Sequence, residues 1–576
     1  MTDTVPVHAE PGAIVIGPAA LPGVPGCPSC ASRRREANDT RLPDRAVLPE
    51  WVSAPPAVAD ALHANPFVAD LVTDLVAAER AALAAGRPLR TDRAQLRIAL
   101  ETGEISHHRI LPDPHCPDCG SLPADGPQRV TAGLGPAPKT DRTGLRTRTL
   151  TAAEVEERYS DPHCGLVARL RTVTRPALVG AVASYSPAFQ RDTAFGRAFS
   201  LPGARLTAVL EALERLGGLS ARGARSHVRA RYRDLDVPAL DPRDLGTHQA
   251  TDYRSPGFPF RPFSPDRETG WVWGYSFGRG EPVLVPEAIA YFGPGREADR
   301  TVFETSNGCA LGGCLSEAVL HGLLEVAERD AFLMTWYARL PAAEVALDSA
   351  ADRRIPLLAE HTRDRLGYRL RAFATTVEQG IPSLWVLAES PDPSDGRLAA
   401  LSGAGAHPHP EHALLRGLSE LTGLLAVLDG PHDRAAAGRL LADPGQVRTM
   451  DDHSLLYGHP DAHERLDFLT RGGPPRPLAE LFTDPWPEYD DINDDLTELV
   501  RRYLATGLDV IFVDQTSPEH RAGGLACAKV IVPGTVPMTF GHRFRRVEGL
   551  SRLRTVPRLL GHPTPASLNP HPHPFP

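Results

Sequence analysis

"HGLLEVAERD" (His321–Asp330) and "TAVLEALERL" (Thr207–Leu216) carry the same Glu-x-x-Glu-Arg pattern twice in one chain. At about 100° per residue, the helical repeat sets Thr207, Glu211 and Glu214 on one narrow stripe beside an apolar face of Leu206, Val209, Leu210, Leu213 and Leu216. The second copy sets His321, Glu325 and Glu328 beside Leu320, Leu323, Leu324 and Ala327 in the same register. Carboxylates at i and i+3 repel unless a cation lies between them. Hard divalent cations take such oxygens, and Mg²⁺ commonly joins them to phosphates. One copy alone reads as a solvated face with a local ion pair; two in matching register, each at the border of a buried face, point to a metal.

Composition narrows the field. The chain has 576 residues, 42% hydrophobic and 23% charged, which suits a soluble globular protein of more than one domain. A formal net charge of −9 does not favour nucleic acid as a partner. No apolar run is long enough to span a membrane. The first residues have no basic segment ahead of an apolar core, so a secretory signal is not expected and the cytoplasm is. Lys139 and Lys529 are the only lysines among the 62 basic residues, a bias that fits a GC-rich genome. No Gly-x-x-x-x-Gly-Lys loop exists, which excludes a P-loop.

Of eight cysteines, four form two C-x-x-C knuckles, Cys27/Cys30 and Cys116/Cys119. In a cytosolic chain this spacing suggests a four-cysteine zinc site that leaves no position open to water. Residues 1–150 read as one region: a helix over 66–86, strands "AQLRIALE" and "ISHHRIL" around a Thr-Gly turn, the second knuckle, then a Gly/Pro-rich linker, "AGLGPAPKTDRTG". Residues 151–576 mix helices and strands. Helices are predicted at 204–219, 314–340 and 411–430. Strands are predicted at "GWVWGYSF", "EPVLVPEAIAYF", "PSLWVLAES", "LDVIFVDQT" and "LACAKVIVPG". "DPWPEYDDINDDL" reads as an exposed acidic segment, and the tail "LNPHPHPFP" as extended, near polyproline II.

A loop rich in glycine, "ETSNGCALGGCLSEA", precedes the second acidic helix and is able to offer backbone N–H groups to phosphate. From that loop to "ERDA", the chain is similar to the central signature of the YcaO family. "GRAFSLPGARLTAVLEALERL" resembles that family's first ATP-site helix. "WVWGYSFGRGEPVLVPEAIAYF", "VDQTSP", "GLACAKVIVPG" and the Pro-rich terminus extend the resemblance over roughly 160–576.

The resemblance implies an α+β fold, the YcaO-type ATP-binding arrangement of mixed sheets and helices, with a small zinc-bearing α/β domain at the N-terminus. It implies Mg²⁺–ATP held by Glu211, Glu214, Glu325 and Glu328, so that the two helices form two halves of one site. Arg215, Ser306, Asn307 and Arg329 match positions around the nucleotide. Thr207 stands where a serine is common, and Arg416 with Glu420 resembles a later polar pair. The implied activity is ATP-dependent azoline formation from Cys, Ser or Thr residues of a ribosomal precursor peptide. The ending Pro572, Pro574, Pro576 resembles tails whose terminal carboxylate reaches the active site. That ending disfavours a thioamide-forming enzyme, and the intact glutamates disfavour a non-catalytic leader-binding or assembly subunit. Residues 1–150 resemble the zinc-bearing end of an E1-like protein but lack a peptide clamp, which implies a separate leader-binding E1-like partner. A downstream azoline dehydrogenase and a homodimer are compatible with this picture.

Overall fold

The computed structural model describes residues 4–38, 58, 60, 65–130, 134–174, 178–186, 192–226, 228–293, 299–392, 396–428 and 432–576. At the N-terminus, β1 (Val7–Glu10), β2 (Ala13–Ile16), β3 (Ala94–Ala99) and β4 (Ile105–Arg109) make one antiparallel sheet in that order. Helix α1 (Pro28–Asn38) follows β2 and carries Cys30 in its first turn. Helix α2 (Pro66–Ala84) lays Val68, Val72 and Val76 on Ile14, Ile16 and Ile98. Its start is set by Asn65, whose side chain accepts the Val68 N–H at 3.3 Å, an N-cap that satisfies one of the helix's orphan donors.

The strands β5 (Val167–Thr174), β6 (Val179–Tyr185) and β7 (Asp192–Ala198) form an antiparallel meander. The first acidic helix, α3 (Leu201–Leu219), covers it and is capped by the Ser200 hydroxyl. Next come β8 (Val228–Arg231), β9 (Glu268–Ser276), β10 (Glu281–Pro286) and β11 (Cys309–Gly312). The second acidic helix is α4 (Leu315–Ala338). Strands β12 (Ala343–Glu344), β13 (Arg369–Ala374), β14 (Ser383–Glu389) and β15 (Ala400–Ala406) form another antiparallel sheet, covered by α5 (Pro410–Leu428). After α6 (Ile492–Ala505), β16 (Ile511–Asp514), the short α7 (Pro518–Ala522) and β17 (Ala526–Ile531) complete a central sheet of order β10-β9-β16-β17-β11, with β8 on β9.

Helix α4 is apolar nearly all round because it is buried nearly all round. Leu320, Leu323, Leu324 and Ala327 share a core with Leu496, Leu499 and Tyr503 of α6 and with Ala528 and Val530 of β17. Its second half packs Phe332 and Trp336 against Trp385 and the chain terminus. The architecture is the expected mixture of helices and sheets.

Three local expectations are corrected. "EPVLVPEAIAYF" is a strand only to Pro286; Glu287–Ala290 is a helical turn, since Pro286 has no N–H to continue a ladder. The described part of the supposed linker, from residue 134 on, is a strap bound to the body. The Ala137 N–H donates to Asp491, Ile492 N–H to the Ala137 carbonyl, and Lys139 N–H to the Asp490 carbonyl. The Lys139 ammonium sits 2.6 Å from Asp495, both side chains buried. The acidic segment is correspondingly not all exposed: Trp486, Ile492 and Asp495 are buried.

Candidate active site

Three helices bring their acids to one place. On α3, Glu211 accepts the Phe195 N–H at 3.0 Å and pairs with Arg215 at 2.7 Å. On α4, Glu325 accepts the Gly308 N–H at 3.2 Å, and Arg329 lies 3.8 Å from Glu325 and 3.4 Å from Glu328. On α5, Glu420 stands close enough to raise the pKa of Glu211, Glu325 and Glu328. Glu214 joins the group through Glu325 and Glu211. Burial, first, and these like charges, second, push all four paired glutamates up, Glu328 to about 7 and Glu214 well above the carboxylate range. Arg215, Arg329 and Arg416 oppose the rise but do not cancel it. Carboxylates raised in this way are ones a divalent cation would hold ionised, and their oxygens are the hard donors Mg²⁺ takes.

The loop before β11 reaches the site through the Gly308 N–H on Glu325. The Gly308 φ of +79° is left-handed backbone, and a Cβ there would meet the Val530 carbonyl at 2.3 Å. Gly322, in the quoted HG dipeptide, lets the loop rest on α4: a Cβ there would lie 2.6 Å from the Gly308 carbonyl. The Ser306 carbonyl turns the chain by accepting the Cys309 N–H at 2.7 Å. The Asn307 side-chain oxygen is buried without a partner among the described residues, which leaves it an acceptor for a ligand's donor.

Two assigned residues are placed differently from their neighbours. Thr207 is exposed, and its hydroxyl donates to the Gly203 carbonyl of its own helix at 2.9 Å. His321, the matching position on α4, is half-buried and bonds the Leu145 carbonyl of the strap at 2.9 Å, and desolvation lowers its pKa well below the usual value. A residue not selected from the sequence is Arg197 on β7. Its side chain crosses α5 at Gly423, and its charge opposes the rise of Glu211. The only local signal was its Gly-Arg dipeptide just before the helix cap.

The chain terminus docks beside this cluster. Phe575 is 1% exposed, edge-on to Phe332, with the Arg329 guanidinium 4.0 Å from its ring centroid. Tyr457 donates to the Pro572 carbonyl and His453 Nδ1 to the His573 carbonyl, each at 2.6 Å. The rings of His453 and His573 stack at 4.1 Å. Pro574 is buried and Pro576 half-buried.

The cysteine knuckles also converge. Cys27 and Cys116 sulfurs are 3.5 Å apart, Cys30 and Cys119 sulfurs 3.4 Å, and all four lie within 4.8 Å of one another. Those separations suit a tetrahedron with metal–sulfur bonds of about 2.3 Å. Burial pushes the Cys27 thiol up to about 11, whereas Cys119, despite burial, is drawn to about 7 by the N–H groups of Cys27 and Gly26. A chelated cation compensates the charge such a group of thiolates gathers. The Asp113 N–H donates to Cys30 sulfur at 3.3 Å. The Asp113 carboxylate pairs with Arg33 and Arg222, and Arg222 pairs in turn with Glu519 of α7, so the cluster is fastened to the central body.

The family model described as YcaO cyclodehydratase, ATP- and Mg²⁺-binding, matches residues 195–536. The chain belongs to the YcaO family. The class this defines is that of ATP- and Mg²⁺-binding YcaO cyclodehydratases. An uncharacterised protein of Methanothermobacter thermautotrophicus is 27% identical over 336 residues, covering 58% of this chain and 78% of that protein. A solved heterocyclase in complex with substrate and cofactor superposes with a TM-score of 0.76 at 22% identity, over 99% of this chain and 77% of the other. YcaO of Methanopyrus kandleri bound with AMPPCP and Mg²⁺ gives 0.50 at 21% identity, over 70% and 94%. No described helix is long and apolar enough to cross a membrane.

Proposed function

We propose that the chain forms thiazolines or oxazolines in a ribosomal precursor peptide by ATP-dependent phosphorylation of a backbone amide oxygen. The observation that carries this reading is the meeting of Glu211, Glu214, Glu325, Glu328 and Glu420 from three helices, with the chain terminus packed on Arg329. The thiol or hydroxyl of a Cys, Ser or Thr side chain attacks the preceding carbonyl carbon and gives up its proton. The oxyanion takes the γ-phosphoryl group of ATP, releasing ADP. Phosphate then leaves, the ring nitrogen loses its proton, and the azoline remains.

The paired glutamates hold Mg²⁺, which when bound spreads the charge of the transferring phosphoryl group. Arg215, Arg329 and the Arg416–Glu420 pair balance charge around the nucleotide. Ser306 and Asn307 face it with a hydroxyl and an unpaired acceptor, and Thr207 offers a hydroxyl at the rim. Pro572 and Pro574 steer the Pro576 carboxylate toward the attacking side chain, which it orients or deprotonates.

Residues 1–150 form a partial E1-like region whose Cys27, Cys30, Cys116 and Cys119 hold a structural zinc. Residues 151–576 form the catalytic domain, working in the cytoplasm with a separate leader-binding partner. Purified protein is expected to carry one zinc per chain, and a C27A/C116A variant to lose it; metal analysis that finds zinc retained in that variant rules the site out. The test of the activity is mass spectrometry of a Cys/Ser/Thr-rich precursor from the same gene neighbourhood, incubated with partner, enzyme and ATP. One water mass is lost and one ADP formed per ring; modification without ATP consumption overturns the mechanism.

A further inference from the structure

We propose that Lys529 is a positioning residue: its ammonium pre-shapes the Ser306–Asn307 loop so that the Gly308 N–H already points at Glu325 before nucleotide arrives. The inference rests on the reading of that loop as part of the nucleotide site. Lys529 on β17 is 2% exposed. Its Nζ donates to the Asn307 carbonyl at 2.7 Å, the Thr305 carbonyl at 3.0 Å and a Glu304 carboxylate oxygen at 3.1 Å. Three donors meet three acceptors, which satisfies the ammonium completely. Glu304 is held from its other side by Arg546, 3.4 Å away and also buried. Behind it, Phe303 stacks on Phe544 at 5.2 Å. The loop is thereby fixed at residues 303, 304, 305 and 307, and the next amide, Gly308, donates to Glu325.

Composition supports the same conclusion. Arginine takes nearly every basic position in this chain, yet both lysines are buried against backbone carbonyls. Lys139 donates to the Arg142 carbonyl at 2.9 Å, and Lys529 to the two carbonyls of the loop. An ammonium directs its three bonds from one point, whereas a guanidinium is a planar fork that does not fit such a cage. Each lysine also meets a carboxylate, Asp495 or Glu304, so what sets it apart from arginine is the geometry of its bonds and not its charge alone.

The experiment is calorimetric titration of the full chain with AMPPCP and Mg²⁺, comparing wild type with K529R, K529M and E325Q, each normalised to its folded fraction. K529R and K529M are expected to bind about tenfold more weakly or worse, although K529R keeps the charge. A purely packing role would lower melting temperature and leave the affinity of the folded fraction unchanged. K529R binding within about threefold of wild type would overturn the proposal. Binding by wild type that is lost in E325Q keeps the nucleotide reading whatever the lysine variants do; no binding by wild type removes both. Should the lysine variants not fold, hydrogen exchange of wild type decides. The Gly308 and Cys309 amides are expected to be protected without nucleotide and to change little on adding AMPPCP–Mg²⁺. Protection that appears only with nucleotide refutes pre-shaping.

Discussion

Glu325→Gln and Glu211→Gln are each expected to reduce ATP-dependent ring formation by about a thousandfold or more, while raising the melting temperature of the metal-free protein. Gln keeps the size and hydrogen-bonding reach of Glu, so the Gly308 and Phe195 N–H groups retain an acceptor. What disappears is one negative charge from a group in which burial and like charges already raise every paired carboxyl. Without a cation that charge opposes folding; in the proposed function it is the determinant that binds Mg²⁺. Loss of activity and gain of stability should therefore travel together, the signature of a site kept strained for function. Thermal melts in EDTA and turnover in Mg²⁺ check the pair of effects. A folded E325Q with wild-type turnover would remove Glu325 from the metal site.

Much of this site was legible because helices announce themselves locally. The 3.6-residue period over 204–219 and 314–340 places both acidic stripes, and the structure ends those helices at Leu219 and Ala338. That Glu211, Glu325 and Glu420 meet is tertiary information, which no local period contains; it came through the family resemblance. Lys529 gave no signal beyond its rarity, because its partners lie more than two hundred residues away.

The strap and the acidic segment defeat a local reading for one shared reason. Gly, Pro and charge mark exposed chain when each is taken alone. Here the two segments satisfy each other. Lys139 neutralises Asp495, the Trp486 indole donates to Asp495 at 2.9 Å, and Asp491 caps α6 while receiving the Ala137 N–H. Neither segment shows its burial until its partner is known.

Adding residues after Pro576 is expected to reduce ring formation by about a hundredfold or more while leaving AMPPCP–Mg²⁺ affinity within a few-fold of wild type. An extension leaves Phe575 on Arg329 and displaces only the terminal carboxylate, whereas deleting Pro574–Pro576 also removes that ring contact. The prolines have little freedom left to lose on docking. The clamp on this tail predicts a pH dependence as well. His453 donates from Nδ1 to the His573 carbonyl and accepts the Gly541 N–H at Nε2, so only the neutral ring makes both bonds. Burial holds its pKa down to about 4, and holds His573 lower than usual too. A histidine whose pKa is depressed by docking favours the docked state fully above its free value of about 6.5, and progressively less as pH falls to about 4. Carboxypeptidase Y should accordingly release Pro576 and Phe575 slowly at neutral pH and faster toward pH 5, at a point where circular dichroism still reports folded protein. Equal release at both pH values would show that the histidines do not hold the tail, and normal ring formation by the extended protein would show that its carboxylate takes no part in the reaction.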